Sequence, residues 1–193
     1  SRAMGWGYTP DGLLSEQGDM GGLRAIYGYD ADGNRVSAKE GQGLTQASQS
    51  PLAVTAQFDD FDQLARVCVP KSGTSSVYAT LFAYDLHGNT SLLTQNREES
   101  SCGGSQTAAG RVQTYAYNED DEALTQIDDF STTASTDDEK FSLTWKKTGW
   151  EAYRKIEKSN GAGGWTGEQD TTRTYFDNGL LKTLTSTDLA ASP

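Results

Sequence analysis

The reactive side chains of this 193-residue sequence are few: one histidine, two cysteines and carboxylates scattered among 27 acidic residues. A nucleophilic triad would need His87 as its base, yet His87 lies in Asp85-Leu86-His87-Gly88, a turn-like string with no nucleophile beside it. Glycoside hydrolysis needs two carboxyl groups facing across a cleft, and nothing in the sequence singles out such a pair. Asp30, Asp32 and Asn34 resemble the start of a calcium loop, but Gly33 is fourth, Arg35 sixth and Gly41 twelfth, against the Gly and Glu that loop requires at six and twelve. The acidic clusters Asp59-Asp60-Asp62, Glu119 to Glu122 and Asp137 to Glu139 read as solvated loop charge. Cys68 and Cys102 lack C-x-x-C spacing and histidine partners, which argues against a metal site. Two alternatives stay open for them: a disulfide, worth roughly 4 kcal/mol for a loop of about 35 residues, or a buried free Cys68 with an exposed Cys102. Trp6, Trp150 and Trp165 are candidates for stacking on a ligand, with packing against the fold as the competing role. The expectation is a non-enzymatic chain with no cofactor and no metal.

Composition narrows the partners. The formal charge is −11, the pI near 4.4, and Lys and Arg form no run longer than Lys146-Lys147. Such a surface repels phosphate, so nucleic acid and anionic membrane are disfavoured. No stretch approaches the 18 apolar residues of a membrane helix, and the N-terminus shows no signal-peptide pattern. Hydrophobic residues are only 35%, with 4 Trp, 9 Tyr and 6 Phe among them. A thin core is expected, with aromatic rings supplying much of the burial.

What positions these residues is a repeat. Seven segments share an aromatic, an Asp-like residue, two further residues and a Gly-like one: Tyr8 to Gly12, Tyr29-Asp30 to Gly33, Phe58-Asp59 to Asp62, Tyr84-Asp85 to Gly88, Tyr117-Asn118 to Asp121, Trp145 to Gly149 and Tyr175 to Gly179. Each reads as a β-hairpin. Tyr27/Tyr29, Phe82/Tyr84, Tyr115/Tyr117 and Leu143/Trp145 sit two apart and point to one strand face. Asp or Asn opens a turn that the Gly, at positive φ, closes with a bulge, and Asp62 and Asp121 are tolerable replacements for it. Strands are expected at Leu64 to Val69, Thr90 to Thr94, Leu124 to Ile127 and Leu180 to Thr185. Loops rich in Gly, Ser, Thr or charge are expected at Gly41 to Pro51, Arg97 to Arg111, Asp128 to Lys140 and Ser159 to Thr172, the last carrying Trp165. Trp150, Tyr153 and Ile156 have helical spacing, but their place after Gly149 makes a strand the more consistent reading.

These units resemble YD repeats, the tyrosine–aspartate repeats of Rhs proteins, teneurins and the B and C components of insecticidal Tc toxins. Gly28 to Arg35, Ala83 to Asn89 and Asn178 to Leu181 match the family's Y-D-x-x-G-N/R/L pattern closely, the last over its Gly-Leu end, and the other four units are degenerate. The resemblance implies an all-β sheet of antiparallel hairpins, curved or spiralling and open, forming part of a β-shell. Residues 8–189 would be one repeat region of seven hairpins, about fourteen strands, between an N-terminal segment 1–7, in part a cloning remnant, and a tail 190–193. It further implies a structural wall segment of a secreted or cell-surface bacterial protein, enclosing a toxic polypeptide. Its partners would be neighbouring repeats or that polypeptide, with an edge-to-edge homo-oligomer as a further form because exposed edges seek strands. The competing reading is an adhesin-like module that binds a glycan or a protein. No Asp-Pro of the family's self-cleavage motif occurs.

Overall fold

The computed structural model describes residues 4–43, 53–130 and 136–189. The strands are β1 (Gly5–Tyr8), β2 (Leu14–Gly18), β3 (Leu23–Tyr29), β4 (Arg35–Gln42), β5 (Val54–Phe58), β6 (Leu64–Pro70), β7 (Val77–Tyr84) and β8 (Thr90–Glu99). They continue with β9 (Gln106–Ala108), β10 (Arg111–Tyr117), β11 (Ala123–Asp129), β12 (Glu139–Trp145), β13 (Glu151–Ser159), β14 (Trp165–Tyr175) and β15 (Leu181–Asp188). Hydrogen-bonded neighbours follow chain order from β1 to β15, and only β9 leaves the path, pairing with β8. The fold is an open, all-β antiparallel sheet with no helix among the described residues.

Seven hairpins account for fourteen strands, one for each sequence unit. In the six whose register is resolved, a shift falls immediately before the leading aromatic, as between Gly28 and Tyr29 or Thr174 and Tyr175. The aromatic then pairs with the sixth residue after it: Tyr8 with Leu14, Phe58 with Leu64, Trp145 with Glu151. Backbone contacts group the chain into two compact units, Ser1–Phe82 with Gln95–Ala109, and Ala83–Thr94 with Gly110–Pro193.

Strands run further into the polar stretches than composition suggests. The sheet reaches Glu99 in β8 and Asp129 in β11, restarts at Glu139 in β12, and β14 begins at Trp165, which therefore stands on a strand and not in a loop. Cross-strand charge explains the extension. Glu139 pairs with Lys158 and Lys140 with Glu157 in register, and Lys158 also meets Glu168, so residues that look loop-forming one at a time stabilise a ladder in pairs. Part of the Gly41 to Pro51 stretch continues β4 to Gln42; residues 44–52 lie outside the described residues. Trp150 precedes β13, whose residues Tyr153 and Ile156 pair with Thr144 and Phe141, so the helical spacing there has no structural counterpart.

The core is thin and half polar. Among the described residues, Ala25, Ile26, Cys68 and Ala79 are the buried apolar side chains, beside buried Thr94, Glu99, Asp128, Glu157 and Thr171. Leading aromatics are half-buried or, for Tyr8, 63% exposed, so no ring forms a sealed centre. A single sheet has no second layer to cover its faces, and apolar burial is shared out in small amounts along it.

Candidate functional site: the ladder of hairpin turns

Each of the seven turns uses one backbone scheme. The residue after the aromatic donates its N–H to the carbonyl four residues on and accepts from the N–H three residues on. Asp30 does this with Asn34 and Gly33, Lys146 with Trp150 and Gly149, and Phe176 with Leu180 and Gly179. The fourth position has positive φ in all seven, including Asp62 (59°) and Asp121 (62°). Where Asp or Asn opens the turn, its side-chain oxygen accepts two backbone N–H groups, as Asp30 from Asp32 and Asn34, Asp59 from Phe61 and Gln63, Asp85 from His87 and Asn89, and Asn118 from Asp120 and Glu122. In the first turn Thr9 Oγ1 accepts from Leu13. Lys146 and Phe176 cannot accept, and in the last turn Asn178 takes over by accepting from Leu180. The backbone geometry thus survives where the motif is weakest. The same scheme occurs at Asp19–Leu23, and Asn160 shares its first bond by donating to the Gly164 carbonyl, both between hairpins where no aromatic precedes the turn. Asp or Asn followed by Gly three residues later was the signal available for both.

Successive turns are joined by a rule that the sequence motif does not display. Counting from each aromatic, the fifth residue of one turn meets the fourth residue of the next, at every one of the five junctions that lie within a compact unit. Leu13 Cδ1 lies 3.7 Å from where a Cβ on Gly33 would be, Glu122 Oε1 is 3.7 Å from that point on Gly149, and the Trp150 ring is 2.6 Å from it on Gly179. At the other two junctions the fourth residue is aspartate and the fifth is asparagine: Asn34 Nδ2 donates to Asp62 at 2.8 Å and Asn89 Nδ2 to Asp121 at 2.7 Å. The two Gly-to-Asp changes are therefore matched to their neighbours.

A second link runs beside the first. The leading aromatic donates to the carbonyl of the sixth position in the preceding turn: Tyr29 to Leu14 (2.8 Å), Tyr117 to Thr90 (2.9 Å), Trp145 Nε1 to Ala123 (2.6 Å) and Tyr175 to Glu151 (2.8 Å). Phe58 has no hydroxyl and cannot make it. The polar tips of Tyr and Trp, not ring area alone, account for aromatic choice at this position.

His87, on the fourth turn, places Nδ1 2.9 Å from Asp121 on the fifth. That hydrogen bond, followed by the attraction of the Asp121 charge, raises the His87 pKa above its ordinary value. Hydrogen bonds from Asn89 and then His87 lower that of Asp121. For Asp85, burial pushes the carboxyl upward, but the Asn89 and His87 hydrogen bonds outweigh it and the net shift is downward. Both His87 and Asp121 are more than half exposed, and the pair links the fourth turn to the fifth.

Cys68 and Cys102 are disulfide-bonded, with Cα atoms 5.7 Å apart. The bridge pins the excursion after β8 next to Glu99, which is fully buried. Glu99 Oε2 receives Arg66 Nη1 at 2.9 Å and Gly103 N at 3.0 Å, while Arg97 Nε stands 3.2 Å from Oε1. Arg66 and the Gly103 amide hydrogen-bond this charge and Arg97 adds a charge contact without a hydrogen bond, where an isolated carboxylate would be strongly unfavourable. Nothing in the spacing of Arg66, Arg97 and Glu99 announced that cluster.

The tryptophans divide. Trp150 lies against Gly179 and Tyr175, with ring centroids 5.2 Å apart. Trp165 is half-buried with Lys140 Nζ 6.0 Å above its ring. Trp6, 58% exposed on edge strand β1, lines a cavity of about 250 Å³ with Met4, Leu23 and Arg24. Among the described residues no group of three His, Cys, Asp or Glu side chains has metal-binding geometry.

No family model matches the chain, and no curated protein matches it in sequence. Solved structures do match in fold. The crystal structure of TcdB2-TccC3-Cdc42 superposes with a TM-score of 0.63 at 13% identity, over 98% of this chain and 9% of that one. A Tc holotoxin pore of Photorhabdus luminescens bearing a TccC3 point mutation gives 0.63 at 12%, over 97% and 9%. This chain therefore has the fold of a stretch of those much longer chains and spans about a tenth of their length.

Proposed function

We propose that this chain is a wall segment of a YD-repeat shell in a secreted or cell-surface bacterial Rhs-like protein, a non-enzymatic sheet that encloses a toxic polypeptide. The observation that carries the reading is the ladder itself. Within each compact unit successive hairpins meet through the fifth-to-fourth contact at all five junctions and through the aromatic-to-carbonyl bond at four of them, so the turn chemistry serves the packing of hairpin on hairpin. Residues 8–189 form one repeat region on this reading. A continuous hydrogen-bonded sheet excludes protease by leaving no backbone extended and unpaired within it. The likeness in fold to chains of Tc toxin structures supports the reading, and the disulfide supports an oxidising compartment. The half-buried, lysine-covered Trp165 gives little support to a glycan-binding role.

Limited proteolysis of the full polypeptide that contains this chain tests the proposal. The enclosed segment should resist trypsin until the wall unfolds and then be cut rapidly. Equal cleavage with the wall folded and unfolded would remove the enclosing role.

A further inference from the structure

After β8 the chain leaves the strand path as an arm, residues 100–108, that ends in β9 and pairs back with β8. Asn96, at φ 55°, breaks the extended backbone of β8 just before it. The arm lies on one face of β5 and β6. Cys102 is bonded to Cys68, the Gly103 amide donates to Glu99 at 3.0 Å, and a Cβ on Gly103 would lie 3.4 Å from Arg66 Nη1 and 3.5 Å from Gln57 Nε2. Gln57 pairs with Arg66 and Cys68 with Ala79 in register, and Arg66 and Cys68 are two apart, so these residues share that face. Cys68 is 1% and Ala79 0% exposed there, and every residue named belongs to the first compact unit.

The arm reads Ser100-Ser101-Cys102-Gly103-Gly104-Ser105-Gln106-Thr107-Ala108, so beyond Cys102 its one apolar side chain is the methyl of Ala108. Apolar stabilisation scales with buried area, and the arm has little to contribute. Ordering a run with two glycines carries a high entropic cost. Its backbone bonds Ser100 to Ser105 and Gly104 to Ser101 run within the arm, and β9 meets β8 in two register pairs with a shift between them. Closure also holds the Glu99 charge away from water beside an Arg97 Nε that lacks a hydrogen bond, a cost that opening relieves. The covalent bond is therefore what keeps the arm closed.

We propose that Cys102 is a thiol–disulfide exchange site for a dithiol reductant, and that its reduction frees residues 100–108 while the sheet stays paired. Cys68 is buried, whereas Cys102 is partly exposed between exposed Ser101 and Gly103, so attack falls on the Cys102 sulfur. One thiolate of the reductant bonds to Cys102 Sγ and the Cys68 thiolate leaves. The reductant's second thiolate then bonds to its own first sulfur and releases the Cys102 thiolate. The protein disulfide gains two electrons, the reductant closes to an internal disulfide, and its two protons end on the cysteine thiols. The device does not depend on the wall reading and fails separately from it.

Amide hydrogen exchange of the whole chain, with and without dithiothreitol, tests it. Reduction should speed exchange at Ser100, Gly103 and Gly104 roughly tenfold or more and leave the amides of β3 and β4, in the same compact unit, unchanged. The double variant Cys68→Ser with Cys102→Ser should exchange like the reduced chain with no reductant present. With excess glutathione and an acid quench, peptide mass mapping should find the mixed disulfide on Cys102. Unchanged exchange in the arm after complete reduction, equal acceleration in β3 and β4, or an adduct on Cys68 would each overturn the proposal.

Discussion

The junction at Asn89 and Asp121 and the junction at Trp150 and Gly179 occupy the same place in the repeat and solve it with opposite chemistry. In the first, an amide donates 2.7 Å to a carboxylate that sits at positive φ, and His87 adds a second bond. In the second, an indole lies where any Cβ would collide with it. An aspartate in the left-handed region costs backbone energy, which its hydrogen bonds offset, whereas glycine avoids that cost and leaves room for a large ring. The pair teaches that a degenerate repeat unit has to be read with the unit before it. Asp62 and Asp121 look like decay of a glycine when aligned in a column, and like halves of a contact when the neighbouring Asn34 and Asn89 are included.

Breaking the scaffold outside either junction sets the scale of effect. Reduction of Cys68–Cys102, which spans 34 residues, should lower unfolding free energy by about 4 kcal/mol in urea titrations. At the glycine junction, Gly179→Val adds left-handed strain to a collision with Trp150, and chemical denaturation should show a loss of about 3 kcal/mol. If the loss at Gly179 were no larger than that of Gly12→Val, which meets no neighbour, the ring contact would not matter. Tyr175→Phe removes the bond to Glu151 and should cost about 1 kcal/mol with the ring still in place. The aspartate junction is tested by exchange. Asn89→Leu alone should destabilise by about 1 kcal/mol, and adding Asp121→Gly should restore most of it, giving a coupling of about 0.5 kcal/mol or more in a double-mutant cycle. Strict additivity would mean that the two positions do not read each other.

The smallest effect is that of pH on the same junction. The His87 pKa is raised in the folded chain, so its contribution to stability is complete below its unfolded pKa and is lost as pH rises through the folded one. The Asp121 pKa is lowered, so its contribution is present above its unfolded value and is lost as pH falls through the folded one. The contact should therefore be strongest between those limits, in mildly acidic solution. An NMR titration of the single histidine should show its midpoint shifted up in the parent chain and returned toward the ordinary value in Asp121→Asn. An unshifted midpoint would separate His87 from the junction.

Local sequence carried the hairpins. A leading aromatic with a residue tolerant of positive φ four positions later is a short-range requirement that located all seven turns, supported in some units by a pair two apart on the strand and in four by Asp or Asn at the turn entry. Even Lys146 and Phe176, which lack the turn-opening oxygen, keep the backbone scheme because the glycine and the strand pairing suffice. Strand length was less legible. Glu139, Lys140, Lys158 and Glu168 have loop-like character singly, and only the partner strand supplies the opposite charge that makes them β.

What the sequence determined by itself is the unit: a bulged hairpin led by an aromatic, repeated seven times. What tertiary structure alone decided is what the units say to each other. Asn34 and Asp62 are 28 residues apart, Tyr175 and Glu151 24, and Arg66 and Glu99 33. Connections between hairpins vary in length, so no fixed spacing relates these partners along the chain. The antiparallel ladder brings them to one rung, and hydrogen-bond geometry then selects which residue pairs can stand there.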